Sequence, residues 1–419
     1  MRKTYWLAGL ALVAMTNAAG AATPEQVAQA ALAAAPVWDG HNDVPEQLRD
    51  RRKDVLAGFD FADTSGTADA ALKRGPMQTD LARLRKGHVG AQFWSVFVSA
   101  ALPEPQAVQA TLEQIDVIKR VIAQNPQSMQ FASSADDVVR AMKAGKVASL
   151  IGMEGGHSIG GSLGVLRQMY ALGARYMTLT HFKNNDWADS GTDAPAHNGL
   201  TPFGKDVVRE MQRLGMLVDL SHVSEKTMLD AMEVAGAPVI FSHSGAMGIS
   251  GHPRNVSDAA LDRLKANGGL IMVNFYPGYV SPQLRAWNAD RAGEQARAKA
   301  LYPDSPDRAL RSLADWDAAH AKPVATLAQV ADHIDYIAKR IGADHVGLGS
   351  DFDGGSEGLA GLPDVSAYPA LFVELARRGW LQADLQKLSN GNMLRVLRAA
   401  EAYATAHRAD PPIENATGF

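Results

Sequence analysis

Along this chain, short runs of apolar and β-branched residues recur, and most of them end on a metal-binding or acid–base side chain. Val37–His41, Val89–Val98, Ala148–Glu154, Arg175–His181, Leu217–His222, Val239–His243, Leu270–Phe275 and Val346–Asp351 all lack an internal proline. The pattern predicts eight strands buried on both faces, as in a parallel sheet. Helical spacing fills most of the gaps between them. Leu112, Ile115, Val117, Ile118, Val121 and Ile122 form one apolar stripe, and Leu327, Val330, Ala331, Ile334, Ile337 and Ala338 form another. Strands and helices alternating in this way predict an α/β fold, a (β/α)₈ TIM barrel whose polar strand ends gather at one mouth.

Two stretches break the repeat. Arg49–Met77 is charged and Gly-rich and is read as an elaborated βα loop. Ser281–Lys322, rich in Ala, Asp and Arg and carrying Trp287, Tyr302 and Trp316, is read as an insertion after strand seven. Its plain reading is a helical surface insertion; its sharper one is a lid or a substrate-facing wall. The rest, residues 22–419, reads as a single domain. Residues 1–21 read as a cleavable signal peptide: Arg2 and Lys3, an apolar run from Trp6 to Met15 too short to span a bilayer, then Ala19-Gly20-Ala21. Export, to the periplasm, follows. Loss of Arg2 and Lys3 takes the formal net charge from −4 to −6, and without a basic run this argues against nucleic acid or an anionic membrane as partner. With no cysteine in the chain, neither a lipoprotein anchor nor disulfides are available, so stability must come from core and metal. No stable membrane anchor is expected, and a homodimer is left open.

The strand ends carry the chemistry. His41 and Asp43 flank Asn42, and alternation along a strand lets both face the mouth. An imidazole with a carboxylate suits Zn²⁺. His222 and His243 end consecutive strands and are expected as neighbours, a plausible pair for a second metal. Glu154, followed by Gly155-Gly156, is a carboxylate able to bridge two cations about 3.5–4 Å apart. His181 is spare once two metals are held and is placed to steady an oxyanion. Asp351 is the candidate for general acid–base work, with Asp353 competing. Arg254, in the loop after His243, offers a planar fork to a carboxylate.

Taken together, the chain resembles the membrane (renal-type) dipeptidase family, zinc peptidases of the amidohydrolase superfamily. The resemblance rests on Asp39-Gly40-His41-Asn42-Asp43, Glu154-Gly155-Gly156-His157-Ser158, Arg175–His181, Asp219–Ser224 and Phe241-Ser242-His243-Ser244. Arg254-Asn255-Val256, Val273–Tyr276, Gly349–Gly354 and Gly391-Asn392 complete it. It implies two Zn²⁺, with His41 and Asp43 on one, His222 and His243 on the other, and Glu154 bridging and sharing in catalysis. It further implies His181 at the reacting carbonyl, Arg254 with Tyr279 at the substrate carboxylate, and Asp351 as proton carrier. The expected activity is hydrolysis of a dipeptide's single peptide bond by a metal-bridging hydroxide, including dipeptides ending in a D-residue. The alternative is a related amidohydrolase acting on a lactam, lactone or N-acyl amino acid. Absence of cysteine and of a C-terminal lipid-anchor signal departs from the mammalian members, and so does the Ser281–Lys322 insertion.

Overall fold

The computed structural model describes residues 22–414, so the signal-peptide reading of residues 1–21 lies outside it. Eight parallel strands close into a barrel in the order β1 (Val37–Asn42), β2 (Val89–Phe97), β4 (Val147–Glu154), β5 (Ala174–Thr178), β6 (Leu217–Asp219), β7 (Ile240–Phe241), β8 (Leu270–Val273) and β9 (Val346–Leu348). The β1–β9 pairing shuts the ring. β3 (Met129–Phe131) is a ninth strand, absent from the sequence expectation; it pairs only with the first residues of β4, outside the ring. Three residues are too few for any periodicity to show.

The period-2 alternation of these strands explains both the barrel interior and the site. Trp38, Ala91, Phe93, Ala148, Leu150, Tyr176, Leu270 and Met272 point inwards and fill it. Continuing the same alternation along β4 carries Glu154 to the mouth, at the top of the column Ala148, Leu150, Gly152. β1 departs from the rule. Trp38 and Gly40 face Met272 and the interior, so strict alternation would turn His41 outwards; a register shift between Asp39 and Asn42 brings it back in.

Helices cover the outside. In Glu104–Gln124, Ile115, Val117, Ile118, Val121 and Ile122 are buried as the stripe predicts, but Leu112 is exposed. Leu327–Ile341 buries Val330, Ala331, Ile334 and Ile337. The segment after β8 is two helices, Pro282–Leu301 and Pro306–Ala319, packed on each other with only Leu284, Ala298 and Leu313 buried. Among the described residues no helix is long and apolar enough to cross a membrane.

Candidate active site

Hydrogen-bonded pairing stops before the strand runs predicted it would. The ladders end at Thr178, Asp219, Phe241, Val273 and Leu348, leaving His181, His222, His243, Phe275 and Asp351 beyond them. Free of the ladder, the backbone takes turns a strand cannot. His222 and Asp351 sit at φ 70° and 64°, a left-handed conformation costing a non-glycine residue roughly 1–2 kcal/mol.

Two buried aspartates, which head motif stretches but received no role from the sequence, hold these turns. Asp39 accepts hydrogen bonds from the Ser350 amide (2.8 Å) and hydroxyl (2.6 Å), tying the end of β1 to the turn that carries Asp351. Asp219 accepts from Thr178 (2.5 Å), from the Ser242 hydroxyl (2.6 Å) and from the Ser242 amide (2.8 Å), joining β5, β6 and the turn after β7.

At the mouth, Glu154 is the centre. Its Oε2 lies 3.3 Å from His41 Nε2; its Oε1 lies 2.9 Å from His222 Nε2, 3.4 Å from His243 Nε2 and 3.7 Å from His181 Nε2. Asp43 Oδ2 is 3.4 Å from His41 Nε2. His41, Glu154 and His243 form one triplet of metal-compatible atoms; Glu154, His181 and His222 form a second, and His41, Asp43 and Asp351 a third, each within 4.8 Å. All five expected ligands are therefore together, and His181 and Asp351 stand among them. Burial opposes charge on Glu154, yet the imidazoles of His41, His222 and His243 gathered round it hold its carboxyl well below the usual range.

The donor set fits a metal. His222 Nε2 and His243 Nε2 are 2.9 Å apart, a gap that holds at most one proton. Moreover, the far nitrogen of His243 is bonded to Ser242 Oγ (2.8 Å), whose own proton goes to Asp219, so Nδ1 is the protonated nitrogen and Nε2 presents a lone pair. The far nitrogen of His41 lies 2.8 Å from the Tyr176 hydroxyl, which orients that ring. His41 Nε2 and Asp43 Oδ2 are buried without a hydrogen-bond partner. Converging lone pairs and carboxylate oxygens repel one another unless a cation lies between them.

Around the cluster, a cavity of about 140 Å³ is lined by Asp43, Glu154, His181, Arg254, Tyr279 and Asp351, among others. Arg254 is 2% exposed; it donates to the His243 carbonyl (3.1 Å), lies 5.5 Å from the Tyr279 ring, and leaves Nε and Nη1 unpartnered. A buried guanidinium with free donors and no carboxylate beside it is a seat for an anion. His181 lies between the tilted rings of Phe97 and Phe182, and burial lowers it to about 4, keeping the ring neutral.

Asp351 faces the cavity and accepts from Asn274 (3.0 Å); burial, then the Asp43 carboxylate, push it well above the usual carboxylate range. Asp353 turns away to the Gln78 amide (2.7 Å), so geometry separates the two aspartates that spacing left in competition. Gly354 lies between: a Cβ there would meet Asp43 Oδ2 at 2.2 Å and Asp351 Oδ1 at 2.4 Å. Glu46, Phe97, Phe182 and Tyr276 also line the cavity and were not expected from sequence. Only the nearness of Glu46 to His41-Asn42-Asp43 offered a signal.

The model of the membrane dipeptidase family (peptidase family M19) matches residues 25–411. Dipeptidase tcpJ of Claviceps purpurea is 40% identical over 384 residues, covering 90% of this chain and 79% of its own length. Dipeptidase 3 of Homo sapiens is 38% identical over 392 residues, covering 92% and 70%. The crystal structure of the probable dipeptidase PvdM from Pseudomonas aeruginosa superposes with a TM-score of 0.75 at 26% identity, over 91% of this chain and 99% of that one. A metallopeptidase from Rhodobacter sphaeroides, liganded with a phosphinate mimic of the dipeptide L-Ala-D-Ala, shares the fold with a TM-score of 0.70 at 22% identity, over 87% and 99%. A barrel with a buried His and carboxylate cluster at its mouth, and a family match over nearly its whole described length, make this chain a member of the membrane dipeptidase family and a metal-dependent dipeptidase.

Proposed function

We propose that the protein is an exported, binuclear zinc enzyme that cleaves the single peptide bond of dipeptides, including those with a C-terminal D-residue. The observation that carries this reading is Arg254, a buried cation with free donors on the wall of the cavity that holds the His and carboxylate cluster. Such an anchor selects a substrate whose free carboxylate lies one residue from the reacting carbonyl, which is the definition of a dipeptide.

His41, Asp43, Glu154, His222 and His243 would hold two zinc ions, which supply an activated water at neutral pH and polarise the carbonyl oxygen. The protein's own groups do the rest. Arg254, with Tyr279 packed beside it, fixes the carboxylate and with it the register of the peptide. Neutral His181 donates a hydrogen bond to the oxygen that gains charge as the carbonyl carbon becomes tetrahedral. Asp351 takes one proton from the attacking water and returns it to the amine nitrogen as the C–N bond breaks, leaving two free amino acids.

Chelation should abolish activity and Zn²⁺ restore it, with about two zinc per chain by elemental analysis. Active protein with fewer than about one zinc per chain overturns the binuclear reading. A panel of L,L- and L,D-dipeptides set beside N-acyl amino acids, lactams and lactones completes the test, because only a dipeptidase requires the free α-amino group.

A further inference from the structure

We infer that Glu46 is a specificity-determining carboxylate, placed to favour dipeptides whose amino-terminal residue has a cationic side chain. This rests on the dipeptidase reading of the cavity and on the carboxylate anchor at Arg254. The helix Val44–Arg52 starts directly after Asp43, and Glu46 lies in its first turn, three residues on and therefore on the same face. Both side chains line the cavity.

Glu46 is only 17% exposed, and the one cation within 4 Å among the described residues is Arg49 at 3.7 Å. Arg49 is committed elsewhere: it donates to the Phe97 carbonyl (2.6 Å) and to Asp50 (3.2 Å). A largely desolvated carboxylate so weakly paired is stabilised by an ammonium or guanidinium delivered into the cavity. An acidic residue in a first helical turn also suits the helix dipole, but a solvent-facing one would serve equally, so the dipole does not explain the burial.

Direction within the barrel decides which part of the substrate Glu46 meets. β7, which leads to the Arg254 loop, is four places round the eight-strand ring from β2, whose last residue, Phe97, is joined to Glu46 through Arg49. The substrate carboxylate and Glu46 are thus at opposite ends. The α-ammonium is only two bonds from the reacting carbon, so it cannot extend far from the His and carboxylate cluster. The amino-terminal side chain reaches further, to Glu46.

The test is kcat/KM of the zinc-replete enzyme for Lys-Ala, Arg-Ala, Ala-Ala and Glu-Ala, with Glu46→Gln and Glu46→Asp beside wild type. Wild type should prefer Lys-Ala and Arg-Ala to Glu-Ala. Glu46→Gln should lower the Lys-Ala to Ala-Ala ratio by about 5–30-fold, chiefly through KM, and Glu46→Asp should recover part of it. An unchanged ratio in Glu46→Gln, at normal zinc content and melting temperature, overturns the inference while leaving the dipeptidase reading standing. Wild-type turnover of Glu-Ala equal to that of Lys-Ala overturns it without any variant. Failure of wild type on every dipeptide instead removes the reading beneath it.

Discussion

Asp351 and Asp353 differ by two positions and share a turn, yet their environments assign them different work. Asp351 faces Asp43 and the cavity; Asp353 is occupied by the Gln78 amide. On the proposed mechanism, Asp351→Asn should lower kcat by roughly 10²–10⁴-fold with metal retained, the usual range for a general acid–base. A larger loss of turnover from Asp353→Asn at full metal occupancy would reverse the assignment. Arg254 makes a second residue-scale prediction. A charge-assisted contact to a carboxylate is worth about 1.5–3 kcal/mol, so Arg254→Ala should reduce kcat/KM by about 10–150-fold, mostly through KM. It should also erase the preference for free dipeptides over dipeptide amides. Wild-type enzyme that cleaves the amides equally well rules out this role for Arg254.

Among the elements, the helix Leu327–Ile341 reaches the site through His333, which is fully buried. Its Nδ1 accepts from the Ala246 amide (2.9 Å), so Nε2 carries the proton and donates to the Val280 carbonyl (3.2 Å). Ala246 pairs with Val256, and Asn255 accepts from the Gly245 amide, so His333 steadies the loop that carries Arg254. Burial lowers its pKa from 6.5 to about 4. The native state then binds fewer protons at this residue than the unfolded state, so its contribution is intact above about pH 7. That contribution falls by about 1.4 kcal/mol per pH unit as pH drops from 6.5 towards 4. His333→Gln keeps one acceptor and one donor but does not titrate. Urea unfolding should find the variant less stable at pH 7.5, with the gap closing by pH 5. A gap that ignores pH would show that His333 is not neutral in the way its hydrogen bonds require.

At the scale of the molecule, the pair of helices after β8 stands apart from the barrel and carries none of the expected ligands. Trp287 lies 5.6 Å from Trp316, Arg291 is bidentate to Asp317 (2.7 and 2.8 Å), and the Trp287 indole donates to the His320 carbonyl (2.9 Å). Those contacts bring the two ends of the hairpin together, so a short linker can replace residues 286–321. The base of the hairpin nonetheless borders the site: Arg285 and Asn288 share a cavity with Tyr276 and Tyr279. Leu301 and Leu310, 54% and 64% exposed, lie further out. Replacement with a Gly/Ser linker should leave metal content unchanged. It should alter KM among dipeptides with different side chains, or shift the mass in solution if those leucines meet a second copy. Loss of metal would mean that the hairpin supports the barrel itself.

The barrel and the gathering of His and carboxylate side chains at its mouth were legible in sequence because they are local, and the functional class was legible through the family resemblance that those motifs carry. Strand and helix periods are written in neighbouring residues, and strand ends deliver whatever side chains follow the apolar run. Tertiary structure decided what depends on distant partners. The turn at Asp351 is held by Asp39, 311 residues from Ser350, and this contact decides which aspartate faces the cavity. Leu112 fits the apolar spacing but has no neighbour to cover it, and β3 exists only because β4 offers it an edge. Glu46, Phe97, Phe182 and Tyr276 come from four separate parts of the chain. Which of them share one cavity is set by closure of the ring, and no pattern along the chain encodes a juxtaposition across it.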